Sequence, residues 1–178
     1  DIYTNGLAIL GRIEKLAKFY PRSIGLSVYS EIDEIHDSIT RVKGSLKKTL
    51  LVAEQIVNFG IPLYFKCPIM THNATSYFTV SELAKKYGAI PQIDVTLTDA
   101  VDGDTSIGEN LQVDGELLEI ILRDPNIPLY VWKEAPNYGG QERDKDQPFC
   151  CAGSVMMNIT PEGDVTPCNS FPTQFGNL

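Results

Sequence analysis

An α/β fold built on a parallel sheet is predicted by three features of this 178-residue chain. Short apolar segments rich in β-branched and aromatic residues alternate with stretches of helical periodicity. The helical stretches have the crossover length of βαβ units, about ten to fifteen residues. Glycine and proline punctuate the joins, at Gly6, Pro21, Gly60 and Gly88.

Each element follows from local pattern. Asp1 to Thr4 reads as the end of a strand and Asn5-Gly6 as its turn. Leu7 to Tyr20 places Leu10, Ile13, Leu16 and Ala17 on one face, which predicts a helix ended by Pro21. Ser23 to Tyr29 is a second strand, and Ser30 to Lys43 a polar loop holding a short helix. Ser45 is the expected N-cap of a helix running to Asn58, with Gly60 as its stop. Pro62 to Pro68 is a third strand, Thr79 to Tyr87 a helix closed by Gly88, and Pro91 to Leu97 a fourth strand. Thr98 to about Asn110 is polar and turn-rich, and Asp114 to Arg123 reads as a helix. Four such strands make part of an α/β barrel or of an open sheet, and in both the chemistry gathers at the C-terminal strand ends. Residues 125–148 read as an irregular linker between a first domain, 1–124, and a small second one, 149–178.

Composition narrows the class. The apolar fraction of 43% is that of a globular chain. Fifteen Lys and Arg against 23 Asp and Glu give a net charge of −8, which argues against non-specific nucleic-acid binding. No apolar run approaches the roughly 18 residues of a membrane helix. No basic segment followed by an apolar one opens the chain, so no secretory signal is read there. The four cysteines are Cys67, Cys150, Cys151 and Cys168. A long cysteine-poor stretch followed by a late cluster fits a metal site in a reducing cytoplasm better than a disulfide framework.

Several residues invite chemistry. Ser27 puts a hydroxyl inside an apolar strand, which must find a partner if buried; a bond to backbone is the plainer expectation, a donor aimed at a ligand the sharper one. Lys66 interrupts Leu63-Tyr64-Phe65 and Cys67. It either faces solvent on an edge or meets an anion at the sheet, since a lysine is rarely buried unpaired. Cys67 reads as a core thiol. His36-Asp37 suggests a dyad, but sequence neighbours seldom point at each other, and a loop-closing hydrogen-bond network is the preferred reading. His72-Asn73 follows the third strand on its C-terminal side, where ligand loops occur. Asp102-Gly103-Asp104 is weak as a cation loop. At the other end, Ser154 to Thr160 and Val165 to Cys168 flank the turn Pro161-Glu162-Gly163-Asp164. A hairpin that brings Cys150 and Cys168 together is an arrangement for metal or iron–sulfur ligation, because thiolates must converge on one point.

Taken together, these motifs resemble the radical S-adenosylmethionine (SAM) enzymes that carry a SPASM or twitch extension. Tyr3-Thr4-Asn5-Gly6 resembles that family's third strand and its turn. Ile24-Gly25-Leu26-Ser27 resembles the fourth. His36-Asp37, Arg41 and Gly44-Ser45 resemble the run that opens the next helix. Gly60-Ile61-Pro62 through Met70, then Asn73, resembles the fifth strand and its loop, and Tyr87-Gly88-Ala89-Ile90 the approach to the sixth. Cys150-Cys151-Ala152-Gly153, then Gly163, four residues and Cys168, resembles the opening of the extension; Cys151 also satisfies the spacing, and Gly176-Asn177-Leu178 matches what often follows.

The resemblance implies the third to sixth strands of a partial (β/α)6 TIM-like barrel, followed by a cysteine-bearing hairpin extension. It implies SAM contacts at Thr4, Asn5, Ser27, Arg41, Lys66 and Asn73, and an auxiliary 4Fe–4S cluster on Cys150 and Cys168. It implies an enzyme that uses a 5′-deoxyadenosyl radical to modify a peptide or protein, fed by a flavodoxin or ferredoxin. The family's Cys-x3-Cys-x2-Cys motif and its Gly-Gly-Glu-type motif are both missing, so this chain is expected to be part of a longer enzyme and inactive alone. Two other readings stand beside it. One is a non-catalytic metal or iron–sulfur protein, serving structure or electron transfer. The other is an ordinary α/β-barrel enzyme working through His36, Asp37 and Lys66.

Overall fold

The computed structural model describes residues 1–97, 104–125, 152–154, 157–160, 162–168, 170–171 and 173–178. The chain divides into two compact units, Asp1–Leu97 with Leu111–Leu129, and Thr98–Asn110 with Tyr130–Leu178. Pro125 apart, the expected linker falls outside the described residues, as do Cys150 and Cys151.

The first unit is an α/β layer. Strands β1 (Ile2–Thr4), β2 (Ile24–Ser27), β3 (Leu63–Pro68) and β4 (Ile90–Asp94) pair in parallel, side by side in chain order. Between them run α1 (Ile13–Ala17), α2 (Asp33–Thr40), α3 (Ser45–Asn58) and α4 (Tyr77–Lys86); α6 (Gly115–Arg123) follows later in the chain.

Burial along the strands shows how the layer is covered. In β3, Leu63, Phe65 and Cys67 are buried while Tyr64, Lys66 and Pro68 are half-buried. Parallel strands covered on both faces read as continuous apolar runs, so this alternation marks a sheet with one apolar face. Ile24, Leu26, Leu63, Phe65 and Cys67 line it. Ile13 of α1, Leu46, Val52, Ala53 and Ile56 of α3, and Val80, Leu83 and Ala84 of α4 pack there in one cluster. A second cluster joins Ile69, Ala74, Tyr77, Val113 and Ile121, with Ile93 packed against it.

The expected strands are present with small shifts at their ends. β4 stops at Asp94, whose carboxylate accepts the Thr96 N–H at 2.8 Å and turns the chain. The helix expected over Leu7 to Tyr20 is instead a run of turns and the five-residue α1. Gly11 is the cause: it takes φ +73, which a helix cannot contain, and its N–H donates to Gln55 Oε1 at 3.2 Å. Ser45 is the first residue of α3 and not its cap. Gly44 precedes it at φ +77, and the capping carboxylate comes from Asp37 of α2. The helix expected from Asp114 is α6, with the Asp114 side chain accepting the Leu117 N–H at 2.8 Å.

The second unit contains most of α5 (Ser106–Leu111), within a stretch expected to be turns. It also holds a small antiparallel sheet of β5 (Asn158–Ile159), β6 (Asp164–Thr166) and β7 (Gly176–Asn177), ordered β5-β6-β7. The β5–β6 pair is the expected hairpin, turned at Gly163 (φ +90). β7 adds a third strand that periodicity did not reveal, since two residues carry no period. Among the described residues no helix is long and apolar enough to cross a membrane.

Among the described residues Phe65 has the largest fully buried side chain, its ring 6.1 Å from that of Tyr87. Phe65→Ala is expected to cost about 3–5 kcal/mol in urea unfolding. Phe19→Ala, at a side chain 81% exposed, should stay within about 0.5 kcal/mol. Equal losses at the two positions would contradict the one-sided core.

Candidate functional site

The second face of the sheet is mixed, with one aromatic and apolar row and one polar row. Parallel partners share a face, so register fixes its contents. Tyr3, Gly25, Tyr64 and Ile90 form one row across the four strands. Ser27, Lys66 and Gln92 form the next, toward the C-terminal ends. Lys66 therefore stands on an inner strand, which removes the solvent-edge alternative for it. Its Nζ lies 3.9 Å from the centroid of the Tyr3 ring, and the two side chains meet over Gly25.

Gly25 is needed for that meeting. A Cβ there would stand 2.7 Å from Tyr3 Cδ1 and 3.0 Å from Lys66 Cδ. Periodicity alone showed none of this. Tyr3, Gly25 and Gln92 were missed because their neighbours across the sheet come from register, which has no local signature.

The other predicted residues lie at the strand ends and loops. Thr4 Oγ1 accepts the Gly6 N–H at 3.1 Å, and Asn5 Oδ1 the Leu7 N–H at 3.1 Å; both shape the turn after β1. The Asn5 carbonyl is tied to α3 by the Thr49 hydroxyl, at 3.0 Å. Arg41 is exposed and ends α2 in the left-handed region, at φ 56. Ser27 and Lys66 are brought together by register; Arg41 and Asn73 are on separate loops.

Asn73 is fully buried. Its Oδ1 accepts the Met70 N–H at 2.7 Å, and its Nδ2 donates to the carbonyls of Tyr29 at 2.9 Å and Pro68 at 3.1 Å. The amide thus stitches the end of β2 to the loop after β3. From the other side, the Tyr29 N–H donates to His36 Nδ1 at 3.2 Å. Ser30 and Ser76 hydroxyls, 3.0 Å apart, add a second stitch.

His36 and Asp37 do not face each other. Asp37 accepts hydrogen bonds from the Gly44 N–H, from the Ser45 hydroxyl at 2.8 Å and from the Leu46 N–H at 3.1 Å. Burial raises its pKa, but those donors and the neighbouring His36 outweigh it and hold the carboxyl at about 2. Burial lowers the pKa of His36, partly offset by Asp37 and Asp33. A surface cavity of about 550 Å³ beside this cap is lined by Asp33, Glu34 and Asp37 together with Lys43 and Lys47. Its charges oppose one another, and Asp37 is consumed in capping. Burial pushes the Cys67 thiol up to about 12, which leaves it protonated in the core.

In the second unit, Cys168 is a free, half-buried thiol just past β6, bridged to Phe171. The Thr166 hydroxyl donates to the Cys168 carbonyl at 3.0 Å and fixes the backbone there. Among the described residues no three His, Cys, Asp or Glu side chains converge as a metal site. The donor type at Cys168 suits a soft metal or iron–sulfur centre. Compared with known protein families and with curated proteins, the chain matches none.

Two outcomes follow from the stitches. Asn73→Ala leaves the Met70 N–H and two carbonyls without their partner, and should cost about 3 kcal/mol in chemical unfolding; a loss within about 0.5 kcal/mol would mean the amide holds nothing. His36 titrates below its ordinary 6.5 when folded, so its neutral form is the stabilising one. Its contribution is whole above pH 6.5 and fades as pH falls toward the folded value. Imidazole NMR should show Nε2 protonated and Nδ1 bare with a lowered pKa; a raised pKa would contradict the Tyr29 bond.

Proposed function

We propose that this chain is part of a radical SAM enzyme of the SPASM type, acting on a peptide or protein substrate. One observation carries the reading: parallel strands follow one another in chain order, with the apolar cover on one face and polar side chains on the other. Doubly wound sheets reverse their strand order and carry helices on both faces. Sequential winding with helices on one face is also the pattern of a (β/α) barrel wall, and it supports that reading.

On this reading Ser27 and Lys66 face SAM from the polar side, while the turns built by Thr4 and Asn5 lie at the strand ends beside it. Asn73 acts through the backbone it holds, by setting the depth of the loop after β3. Arg41 stays exposed at the end of α2. When bound beside a reduced 4Fe–4S cluster, SAM supplies hydrogen-atom abstraction at an unactivated carbon. The chain's own part is to bind, orient and exclude water. Its cysteines form no Cys-x3-Cys-x2-Cys motif, so it holds no ligand set for that cluster. Cys168, with Cys150 as its proposed partner, would hold an auxiliary cluster, and a flavodoxin- or ferredoxin-type donor would supply electrons. A second reading is a metal or iron–sulfur protein that serves structure or electron transfer without catalysis. SAM affinity separates the two.

Anaerobic reconstitution of the chain with iron and sulfide provides the test. The parent chain should retain both iron and acid-labile sulfide, and Cys168→Ser should lose most of each. Iron held equally by the variant, or zinc without sulfide, would overturn the cluster assignment.

A further inference from the structure

Asn5-Gly6 is the one Asn-Gly step in the chain. The fold keeps a glycine there. Gly6 sits at φ +81, and a Cβ on it would stand 3.2 Å from Leu26 Cδ2 and 3.6 Å from Val52 Cβ. An asparagine followed by glycine carries its own electrophile and nucleophile, because no Cβ shields the glycine nitrogen from the neighbouring amide carbon. Asn5 is exposed, so water reaches that amide. Two hydrogen bonds engage the reacting groups. The Gly6 N–H donates to Thr4 Oγ1 at 3.1 Å, and Asn5 Oδ1 accepts the Leu7 N–H at 3.1 Å. The first occupies the proton that the nitrogen must lose, and the second fixes the plane of the amide.

We propose that Asn5 is a modification site at which the chain deamidates, at a rate set by the Thr4 hydroxyl. The Gly6 nitrogen gives its proton to solvent hydroxide and attacks Asn5 Cγ. The N–Cγ bond forms, the Cγ–Nδ2 bond breaks, and the amide nitrogen leaves as ammonia with a proton from water. Water then opens the five-membered imide at either carbonyl, giving aspartate or isoaspartate. The sum is one water gained and one ammonia lost, with no oxidant and no cofactor. In isoaspartate the backbone runs through the former side chain and gains a methylene, and the Asn5 carbonyl becomes a free carboxylate. That carbonyl is the group Thr49 of α3 holds at 3.0 Å, and Gly6 beside it packs against Leu26 and Val52. Conversion therefore loosens the join between β1 and α3, in one direction only. The inference needs neither SAM nor a cluster and stands apart from the proposed function.

The tryptic peptide of residues 1–12 holds Asn5 as its only asparagine, so mass spectrometry reads the site directly. The full chain is aged at neutral pH, folded and in urea, then digested, and the exchange of ammonia for water is followed by mass. The folded chain should convert about tenfold more slowly than the unfolded one, since two hydrogen bonds hold the reacting groups. Thr4→Val should speed the folded chain about fivefold, and Thr4→Ser should leave its rate as in the parent. Fragmentation should find isoaspartate beside aspartate, and chain enriched in isoaspartate should melt at a lower temperature than fresh chain. No mass gain in urea would overturn the site. Equal rates folded and in urea, or a Thr4→Val rate equal to the parent's, would overturn its control by the turn. Aspartate without isoaspartate would mean direct hydrolysis and overturn the imide route. The comparison of folded with urea-treated chain needs no variant, so it decides even where Thr4→Val fails to fold.

Discussion

A parallel sheet has no intrinsic reason to leave one face without an apolar cover, and this one does so through the alternation of β3, with Gly25 and Ser27 between the apolar residues of β2. Ile24 and Leu26 of β2, with Leu63, Phe65 and Cys67 of β3, meet the apolar sides of α1, α3 and α4. Burying that face supplies the hydrophobic stabilisation, at about 25 cal/mol per Å² of apolar surface removed from water. The residues between them are thereby committed to the other side. A one-residue slip of β3 would carry Lys66 into the core and Phe65 out of it. The cost of burying an unpaired ammonium therefore guards the register that the apolar packing favours. Core and candidate site are two consequences of one pleat.

The ends of the strands are fixed by polar bonds. The Tyr29 peptide is held through both of its groups, with its N–H on His36 and its carbonyl on Asn73. Asn73 then reaches Met70 and Pro68, so the exits of β2 and β3 are tied through one amide. On the far side of α2, Asp37 closes the start of α3. Successive residues on a helix point about 100° apart, which is why adjacent His36 and Asp37 anchor two different elements and form no dyad. Their chemistry is spent on placing the polar face.

The strands were legible in the sequence because apolar runs bounded by glycine and proline are local signals. The break that reduces the helix expected from Leu7 to α1 was not, because the periodicity passes through Gly11 and only the φ of that residue interrupts it. The cap of α3 was misassigned for a related reason. Ser45 has the right chemistry, but the carboxylate that wins belongs to Asp37, eight residues back, and a bond across that loop has no local signature. At the site, Ser27 and Lys66 were legible as polar groups in apolar strands. Their being in one row with Gln92, and the approach of Tyr3, depend on pairing between segments far apart in the chain.

Gly25 ties these points together. It is buried on a face that is otherwise half-open because two side chains from its neighbours cover it. Any larger residue would separate Tyr3 from Lys66 and return the ammonium to a free choice of rotamers, a side chain with up to about 2 kcal/mol of conformational entropy to lose on being held. Holding Lys66 against Tyr3 places that loss in folding, which is how preorganised groups are made. An aromatic face is suited to this task. It attracts a cation without neutralising it. A carboxylate at Tyr3 would hold Lys66 more tightly and silence it.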